Sequence, residues 1–478
     1  MDKKPFYITT TIPYVNADPH IGFALELVQS DAIARAKRLQ GREVFFSTGT
    51  DEYGQKIWEA SLKEGLSPQD YVDLYAKKYL ELKDKLNLSC DNFIRTTSQE
   101  NIEAAQEFWR LCDKNGDIYK KAYKGLYCVG CEKFLTEKDL VDGKCALHPS
   151  LTPEMVEEEN YFFRLSKYRE RLLEYLSNEN SVTPEWRRQE ALEYVKGAMD
   201  DFSISRSKER LSWGIAIPGD DTQVMYVWFG AFLNYLSTLG WPSKNELYEK
   251  FWENGFTAQT AGKDMVKFQS VMWQGMLMSA GLSNTHTIIY HGFVAGEGGI
   301  RMSKSLGNVI NPADVVDEYG VDALRYFLLR EISAFEDSPF TMERFKEAYN
   351  ASLANGLGNL VSRIMQLAST NLDKPVPIAE SEDMSEYFSI LDKFEINKAA
   401  EYVWNRIAEL DKEIQDRKPW ETKDKEVITG LVTKLYSIAR MLNPLLPDAS
   451  TKIKALIKSN QKPGTPLFPR LNGSTSSP

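Results

Sequence analysis

Within the first fifty residues the chain changes its hydrophobic period twice, and that alternation restricts the possible folds more than any other feature. Phe6-Tyr7-Ile8-Thr9-Thr10-Thr11-Ile12 is β-branched and aromatic, the pattern of a buried strand, and Pro13 and Pro19 mark a loop after it. From Ile21 the apolar positions Ala24, Leu25, Val28, Ala32, Ile33, Ala36 and Leu39 recur at helical spacing, which predicts a helix opening just after His20 and closing near Gly41. Val44-Phe45-Phe46-Ser47 is a second short apolar run, leading into Gly49-Thr50-Asp51-Glu52-Tyr53-Gly54. Strand, loop, helix, strand is the opening of a parallel α/β domain, whose ligands bind at the carboxyl ends of the strands.

Around residue 115 the texture changes to Gly, Lys and three closely spaced cysteines, which reads as an insertion. The α/β pattern resumes near Met225-Tyr226-Val227-Trp228-Phe229 and again at Thr287-Ile288-Ile289-Tyr290-His291, followed by Gly296-Glu297-Gly298-Gly299. After about residue 340 amphipathic helical patterns take over, and the residues from 471 to 478 read as a disordered end. A length of 478 residues suggests about three domains. No stretch has the ~18 consecutive apolar residues of a membrane span, and Met1 to Phe6 lacks the pattern of a signal peptide, so a soluble cytoplasmic protein is expected. Five cysteines are too few for a disulfide framework and suit a reducing compartment. A net charge of -10 argues against a general nucleic-acid binder but leaves room for a local basic face.

Two groups of residues carry recognisable chemistry. Cys128 and Cys131 are separated by two residues, as are Cys145 and His148, with thirteen residues between the pairs. Two such turns match a tetrahedral zinc site, and four protein ligands leave no open position, so the metal is expected to be structural and coupled to folding. Pro19-His20-Ile21-Gly22-Phe23 lies between the first strand and the first helix, where backbone donors favour anions. Gly299-Ile300-Arg301-Met302-Ser303-Lys304-Ser305-Leu306-Gly307 adds alternating cationic and hydroxyl groups after a glycine-rich approach, a composition suited to a triphosphate.

Taken together, the two segments resemble the "HIGH" and "KMSKS" motifs of class I aminoacyl-tRNA synthetases. Ile12-Pro13-Tyr14-Val15-Asn16, Gly49-Thr50-Asp51-Glu52, Tyr226-Val227-Trp228-Phe229, Gly262-Lys263-Asp264, the zinc knuckle and Pro466-Leu467-Phe468-Pro469-Arg470 narrow the resemblance to the methionyl-tRNA synthetase family, over essentially the whole chain. The resemblance implies a Rossmann-like parallel-sheet catalytic domain split by a zinc-binding insertion, then a C-terminal α-helical bundle that binds the anticodon. The corresponding boundaries are 1–115 and 226–340 for the catalytic halves, 116–225 for the insertion and 341–470 for the bundle. It further implies ATP-dependent formation of methionyl-adenylate, with Mg²⁺ accompanying ATP, and transfer of methionine to tRNA(Met). His20 and Lys304 would be catalytic, and His20, Gly22, Arg301, Ser303 and Lys304 would hold ATP. Asp51 would take the methionine amino group, while Ile12, Tyr14, Trp228, Ala231, Tyr235, Phe268, Gln269 and Trp273 would enclose its side chain, a thioether that offers shape and little else. No membrane partner is implied, and without an appended C-terminal dimerisation domain a monomer is expected.

Four residues depart from the family pattern: Phe23 for the last His of "HIGH", Arg301 for the first Lys of "KMSKS", Gln269 for a common His and Gly230 for a common Asp. In the C-terminal helices Asn355, Asn359 and Arg363 lie four apart, and Lys418-Pro419-Trp420 follows a charged helix. By resemblance Asn359, Arg363 and Trp420 would read the anticodon, polar groups on base edges and the ring by stacking. From 431 to 470 there are seven basic residues and one acid, Asp448. Two alternatives stay open at this point. One is a class I synthetase for another amino acid, although 116–225 is short for an editing domain. The other is a tRNA-binding paralogue without catalysis.

Overall fold

The computed structural model describes residues 4–129, 133–135, 139–146, 151–243, 245–300, 302, 309–378 and 383–471. The chain divides into two compact units: Met1–Pro19, Glu43–Lys83 and Cys90–Tyr290 in the first, and His20–Arg42, Asp84–Ser89 and His291–Pro478 in the second.

The first unit is built on a six-stranded sheet. Its strands are β1 (Phe6–Thr9), β2 (Val44–Thr50), β3 (Asn92–Arg95), β4 (Val182–Thr183), β5 (Phe256–Gly262) and β6 (Thr287–His291), the last of which ends at the first residue of the other unit. Their order is β3-β2-β1-β5-β6-β4, and β1 pairs in parallel with both β2 and β5. Every residue of β1 is buried, which is why it reads as an unbroken apolar run. The order reverses between β1 and β5, the kind of switch point at whose carboxyl ends ligands bind in open parallel sheets.

β5 is a central strand that composition conceals. Thr257, Gln259 and Thr260 are each at most 3% exposed, yet each is hydrogen-bonded: Thr260 donates to the Thr9 carbonyl at 3.1 Å and Gln259 Oε1 accepts from Thr285 at 3.1 Å. Thr257 Oγ1 and the His286 ring are 2.9 Å apart. The run at 225–229 does not become a sheet strand of this kind. Asp220–Met225 lies in a separate three-stranded sheet, and Val227–Ala231 opens a helical turn.

Between β3 and β4 the strands Ile118–Cys128 and Glu154–Phe163 form a long antiparallel pair, flanked by Phe202–Ser203 and Lys133–Leu135. Lys124 faces Glu157 across it at 2.8 Å, an exposed cross-strand pair.

The second unit is helical. It contains α1 (Ile21–Leu39), α2 (Asn359–Asn371), α3 (Ile396–Arg417), α4 (Lys425–Leu442) and α5 (Pro447–Ser459), with shorter turns between them. On α3 the buried positions Ile396, Ala399, Ala400, Val403, Trp404, Ile407, Leu410 and Ile414 follow the helical period, so the stripe visible in the sequence is the packed face. This unit also buries charge. Arg325 is fully enclosed, lies 2.7 Å from Asp31 of α1, and donates to the carbonyls of Leu86, Pro444 and Leu445. Burial alone would raise the Asp31 carboxyl, but Arg325, Arg35 and the Ser89 hydrogen bonds outweigh it and hold Asp31 below its ordinary range. Among the described residues no helix is long and apolar enough to cross a membrane.

Candidate functional site

Because β1 and β2 run in parallel register, the segments beyond their carboxyl ends continue side by side. Asp51 N–H donates to the Pro13 carbonyl at 2.9 Å and Val15 N–H to the Asp51 carbonyl at 3.2 Å, which sets Tyr14 opposite Asp51. Asp51 is 3% exposed, and Thr96 Oγ1 donates to its Oδ1 at a long 3.4 Å. The adjacent Glu52 is engaged differently. Its carboxylate takes two bonds from Arg95, at 2.7 and 2.8 Å, with further bonds from Thr50 and Thr97. Glu52 is therefore committed to Arg95, while Asp51 makes the longer contact and stands beside Tyr14. Burial first, and then the charges of Glu52 and Asp51, push the Tyr53 phenol up to about 12 and keep it neutral.

An aromatic wall continues from Tyr14. Trp228 meets Tyr14 edge to face at 6.1 Å and stacks on Phe268 at 4.7 Å. Phe232 lies between Trp228, at 5.9 Å, and Trp273, at 5.4 Å, and Tyr235 is 5.8 Å from Trp273. The segment Phe268–Trp273 is a π-helical turn, whose i to i+5 bonding brings Phe268, Gln269 and Trp273 toward one side. The Gln269 amide nitrogen donates to the Tyr235 hydroxyl, so the phenol serves as donor to the next acceptor in line. Among the described residues Trp228 Nε1, Trp273 Nε1 and Gln269 Oε1 are buried polar atoms without a hydrogen-bond partner. Ile12 sits half-buried in the segment after β1, and Ala231 is buried one turn after Trp228, its carbonyl accepting from Asn234.

Asp51 and Tyr14 are thus juxtaposed, and Tyr14, Trp228, Tyr235, Phe268, Gln269 and Trp273 form one contiguous group. Phe232 belongs to it as well and was missed from the sequence, although its i, i+4 spacing from Trp228 is the signal that finds it. The two departures within this region have local explanations. A Cβ at Gly230 would lie 2.8 Å from Ile215 Cδ1, so Ile215 fills the space that an Asp side chain would need. Gln269 supplies the Tyr235 hydroxyl with a donor that does not titrate.

In the second unit His20 caps α1. Its Nδ1 accepts from Gly22 N–H at 3.1 Å, which leaves the ring proton on Nε2, the nitrogen able to donate outward. A Cβ at Gly22 would lie 3.1 Å from two ring atoms of His20, so the glycine gives the imidazole its place. Phe23, where the family pattern has His, is 9% exposed and turned inward. Arg301, Ser303 and Lys304 lie outside the described residues.

The C-terminal candidates share a surface. Arg363 and Trp420 line one groove with Ser362, Gln366, Leu367 and Ile414; Trp420 is 44% exposed, and Asn359 is exposed one turn before Arg363. Arg363 pairs with Asp411 at 2.6 Å, both partly exposed. Asn355 lies in a π-helical stretch, Tyr349–Gly358, so the helix that carries these residues is regular only from Asn359. The segment around Pro466–Arg470 packs back on that stretch, with Phe468 edge to face with Tyr349 at 6.2 Å and the Tyr349 hydroxyl donating to the Pro469 carbonyl.

Of the four expected zinc ligands, Cys131 and His148 lie outside the described residues. Cys128 and Cys145 are 1% and 2% exposed and share a small cluster with Leu135. No group of three or more metal-ligating side chains occurs among the described residues. Among the described residues Leu126 and Leu140 pack against this cluster, and its two thiols are the kind of donor that a zinc ion takes.

Comparison with known proteins bears on these observations. The family model described as "tRNA synthetases class I (M)" matches residues 6–149 and 137–365. A methionine–tRNA ligase of Clostridium acetobutylicum is 40% identical over 95% of this chain and 73% of its own length. That of Rhizobium meliloti is 38% identical over 95% of this chain and 92% of its own. The structure of Mycobacterium tuberculosis methionyl-tRNA synthetase in complex with methionyl-adenylate superposes with a TM-score of 0.90 at 34% identity, covering 98% of this chain and all of the other.

Proposed function

The chain belongs to the class I tRNA synthetases of the methionyl type, and on that premise we propose that it is a methionine–tRNA ligase whose amino-acid site is the crevice between Asp51 and Trp273. The observation that carries this reading is the union of one buried acid with a continuous aromatic wall at the carboxyl ends of β1, β2 and β5. An ammonium group is matched by a carboxylate, and an uncharged thioether by aromatic surface and a single phenolic donor.

In this reading Asp51 accepts from the methionine ammonium. Tyr14, Trp228, Phe268 and Trp273, flanked by Ile12 and Ala231, enclose the side chain. Tyr235, held by Gln269, donates toward the sulfur. The methionine carboxylate oxygen attacks the α-phosphorus of ATP, a bond to phosphorus forms, and the bond to the bridging oxygen of pyrophosphate breaks. His20 Nε2–H donates to phosphate oxygens beside Gly22, and Arg301, Ser303 and Lys304 supply charge and hydroxyl donors. Such donors stabilise developing charge by ~3 kcal/mol each. Mg²⁺, arriving with ATP, would neutralise phosphate charge. The adenylate is then consumed by the ribose of the tRNA 3′ end, while Asn359, Arg363 and Trp420 engage the anticodon.

Cys128, Cys131, Cys145 and His148 are the residues that would hold a structural zinc ion. Bound there, zinc would supply folding energy to the insertion and no chemistry to the reaction.

Exchange of pyrophosphate into ATP, measured with each amino acid in turn, tests the assignment. Methionine should support exchange far above leucine, isoleucine, valine and cysteine. A preference for another amino acid would reassign the pocket, and tRNA binding without exchange would favour a non-catalytic paralogue.

A further inference from the structure

Both ends of the segment 292–310, which carries Arg301, Ser303 and Lys304, are tied to the first turns of α1. At the outgoing end, Ile21 N–H donates to the Ile310 carbonyl at 3.1 Å, directly after His20. At the incoming end, His291 closes β6 and its Nε2 lies 2.9 Å from Glu26 Oε2. Ile21 and Glu26 are five residues apart, about 7.5 Å along the helix axis. Less than two turns of α1 therefore set the spacing of both ends.

The Glu26–His291 contact is enclosed. Glu26 is 4% exposed and His291 6%, and the other ring nitrogen, Nδ1, lies 2.8 Å from the Gly292 carbonyl. The ring is therefore bonded at both nitrogens, to the Gly292 carbonyl on one side and to the Glu26 carboxyl on the other. Immediately beyond it the chain has no freedom. A Cβ at Gly292 would lie 2.1 to 2.4 Å from backbone atoms of Glu336 and Asp337. Phe293 N–H donates to Asp337 at 2.9 Å, and Val294–Ala295 pairs in parallel with Ser338–Pro339. The strand end is thus seated on one side by 336–340, and the Glu26–His291 contact ties it to α1.

We propose that Glu26 and His291 are a positioning pair for adenylate formation. They fix the helix that presents His20 against the strand that leads into the Lys304 segment. Neither residue touches substrate; both act through the groups whose spacing they set. The inference rests on the ATP-binding roles of His20 and Lys304 proposed above, and it assigns work to a buried acid and a histidine that those roles leave unused. A carboxylate that merely fills space would be replaceable by its amide. A positioning pair is less tolerant, because exchanging the carboxyl for an amide changes the donor pattern at Nε2 and the strength of the bond that sets the spacing.

The test uses the full chain with Glu26→Gln, His291→Gln and the double variant, read by pyrophosphate exchange and by backbone hydrogen exchange. Glu26→Gln should lower the exchange kcat about tenfold or more and raise the ATP KM, with the methionine KM within about twofold of the parent. Amide exchange should accelerate at Ile21 and at Phe293–Ala295 and stay unchanged in β2. The double variant, with one amide facing another, should recover part of the lost kcat. Parent-like exchange kinetics and parent-like amide protection in Glu26→Gln would overturn the proposal. So would an equal loss in methionine and ATP parameters, which marks general damage. Should Glu26→Gln not fold, His291→Gln is judged by the same criteria, and failure of both to fold would assign the pair to stability alone. If the parent chain shows no methionine-dependent exchange, the functional reading fails, and the amide-protection result still decides whether the pair ties α1 to the strand end.

Discussion

The region proposed to hold the amino acid and the region proposed to read the tRNA are made of opposite materials. Tyr235, Gln269 and Trp273 are at most 2% exposed, with the Tyr235 and Trp273 rings 5.8 Å apart and the Gln269 amide bonded to the Tyr235 hydroxyl. Trp420 is 44% exposed and lines a surface groove with Arg363, whose partner Asp411 is itself partly exposed. The difference follows from the ligands. A thioether offers few polar contacts, so selectivity must be built into a buried shape. An unpaired base brings its own hydrogen-bonding edges and a flat face, so an exposed ring and an exchangeable ion pair suffice.

Substitutions can break this contrast at its strongest point first. Asp51→Ala should lower kcat/KM for methionine about a hundredfold, equivalent to ~3 kcal/mol, with the ATP KM nearly unchanged. Equal losses for both substrates would remove Asp51 from the amino-acid site. Trp420→Ala should reduce tRNA charging by about tenfold or more, from ~1–3 kcal/mol of lost stacking, while pyrophosphate exchange stays at the parental rate. A normal charging rate would take the ring out of the proposed anticodon surface.

The helical unit makes a separate prediction about pH, through a buried acid whose carboxyl is shifted upward. Burial holds the Asp322 carboxyl at about 6, above its ordinary 3.8, against the opposing influence of the Ala449 N–H bond and Arg325. Between those values the folded chain binds more protons than the unfolded one, so this group favours folding below pH 4 and loses that contribution as pH rises through 6. Relative to the parent, Asp322→Asn should gain stability across that interval by about 1–3 kcal/mol, read from denaturant midpoints at pH 4 and pH 7. A constant difference between the two proteins would show that Asp322 does not titrate there. The smallest effect is expected at the groove rim. Asp411→Asn removes an exposed partner of Arg363, worth ~0.5 kcal/mol, and should change charging by less than about threefold.

How much of this was legible beforehand differs from element to element. β1, α1 and β2 were readable because their residues keep one period and bury the face that the period predicts. β5 was not, since Thr257, Gln259 and Thr260 look like loop residues until their hydrogen bonds are known. Of the paired acids Asp51 and Glu52, the motif could name the first but could not show why the second is unavailable. That depends on Arg95, forty-three residues away in sequence and 2.7 Å away in space. Phe232 was hidden in plain view among other aromatic residues.

The sequence by itself determined the alternation of strand and helix, the aromatic and acidic residues of the proposed pocket, the cysteine spacing and the motifs proposed to bind phosphate. These are local properties: they follow from periodicity, side-chain chemistry and the distance between neighbours along the chain. Only the tertiary structure decided that α1, which lies between two strands of the first unit's sheet in sequence, groups with the C-terminal helices. That grouping rests on Asp31 with Arg325 and Glu26 with His291, contacts between residues more than 260 positions apart. Buried ion pairs of this kind have no periodic signature. Each charged residue reads as surface until its partner is found, because burial of a charge is tolerable only when a distant part of the chain supplies the opposite one.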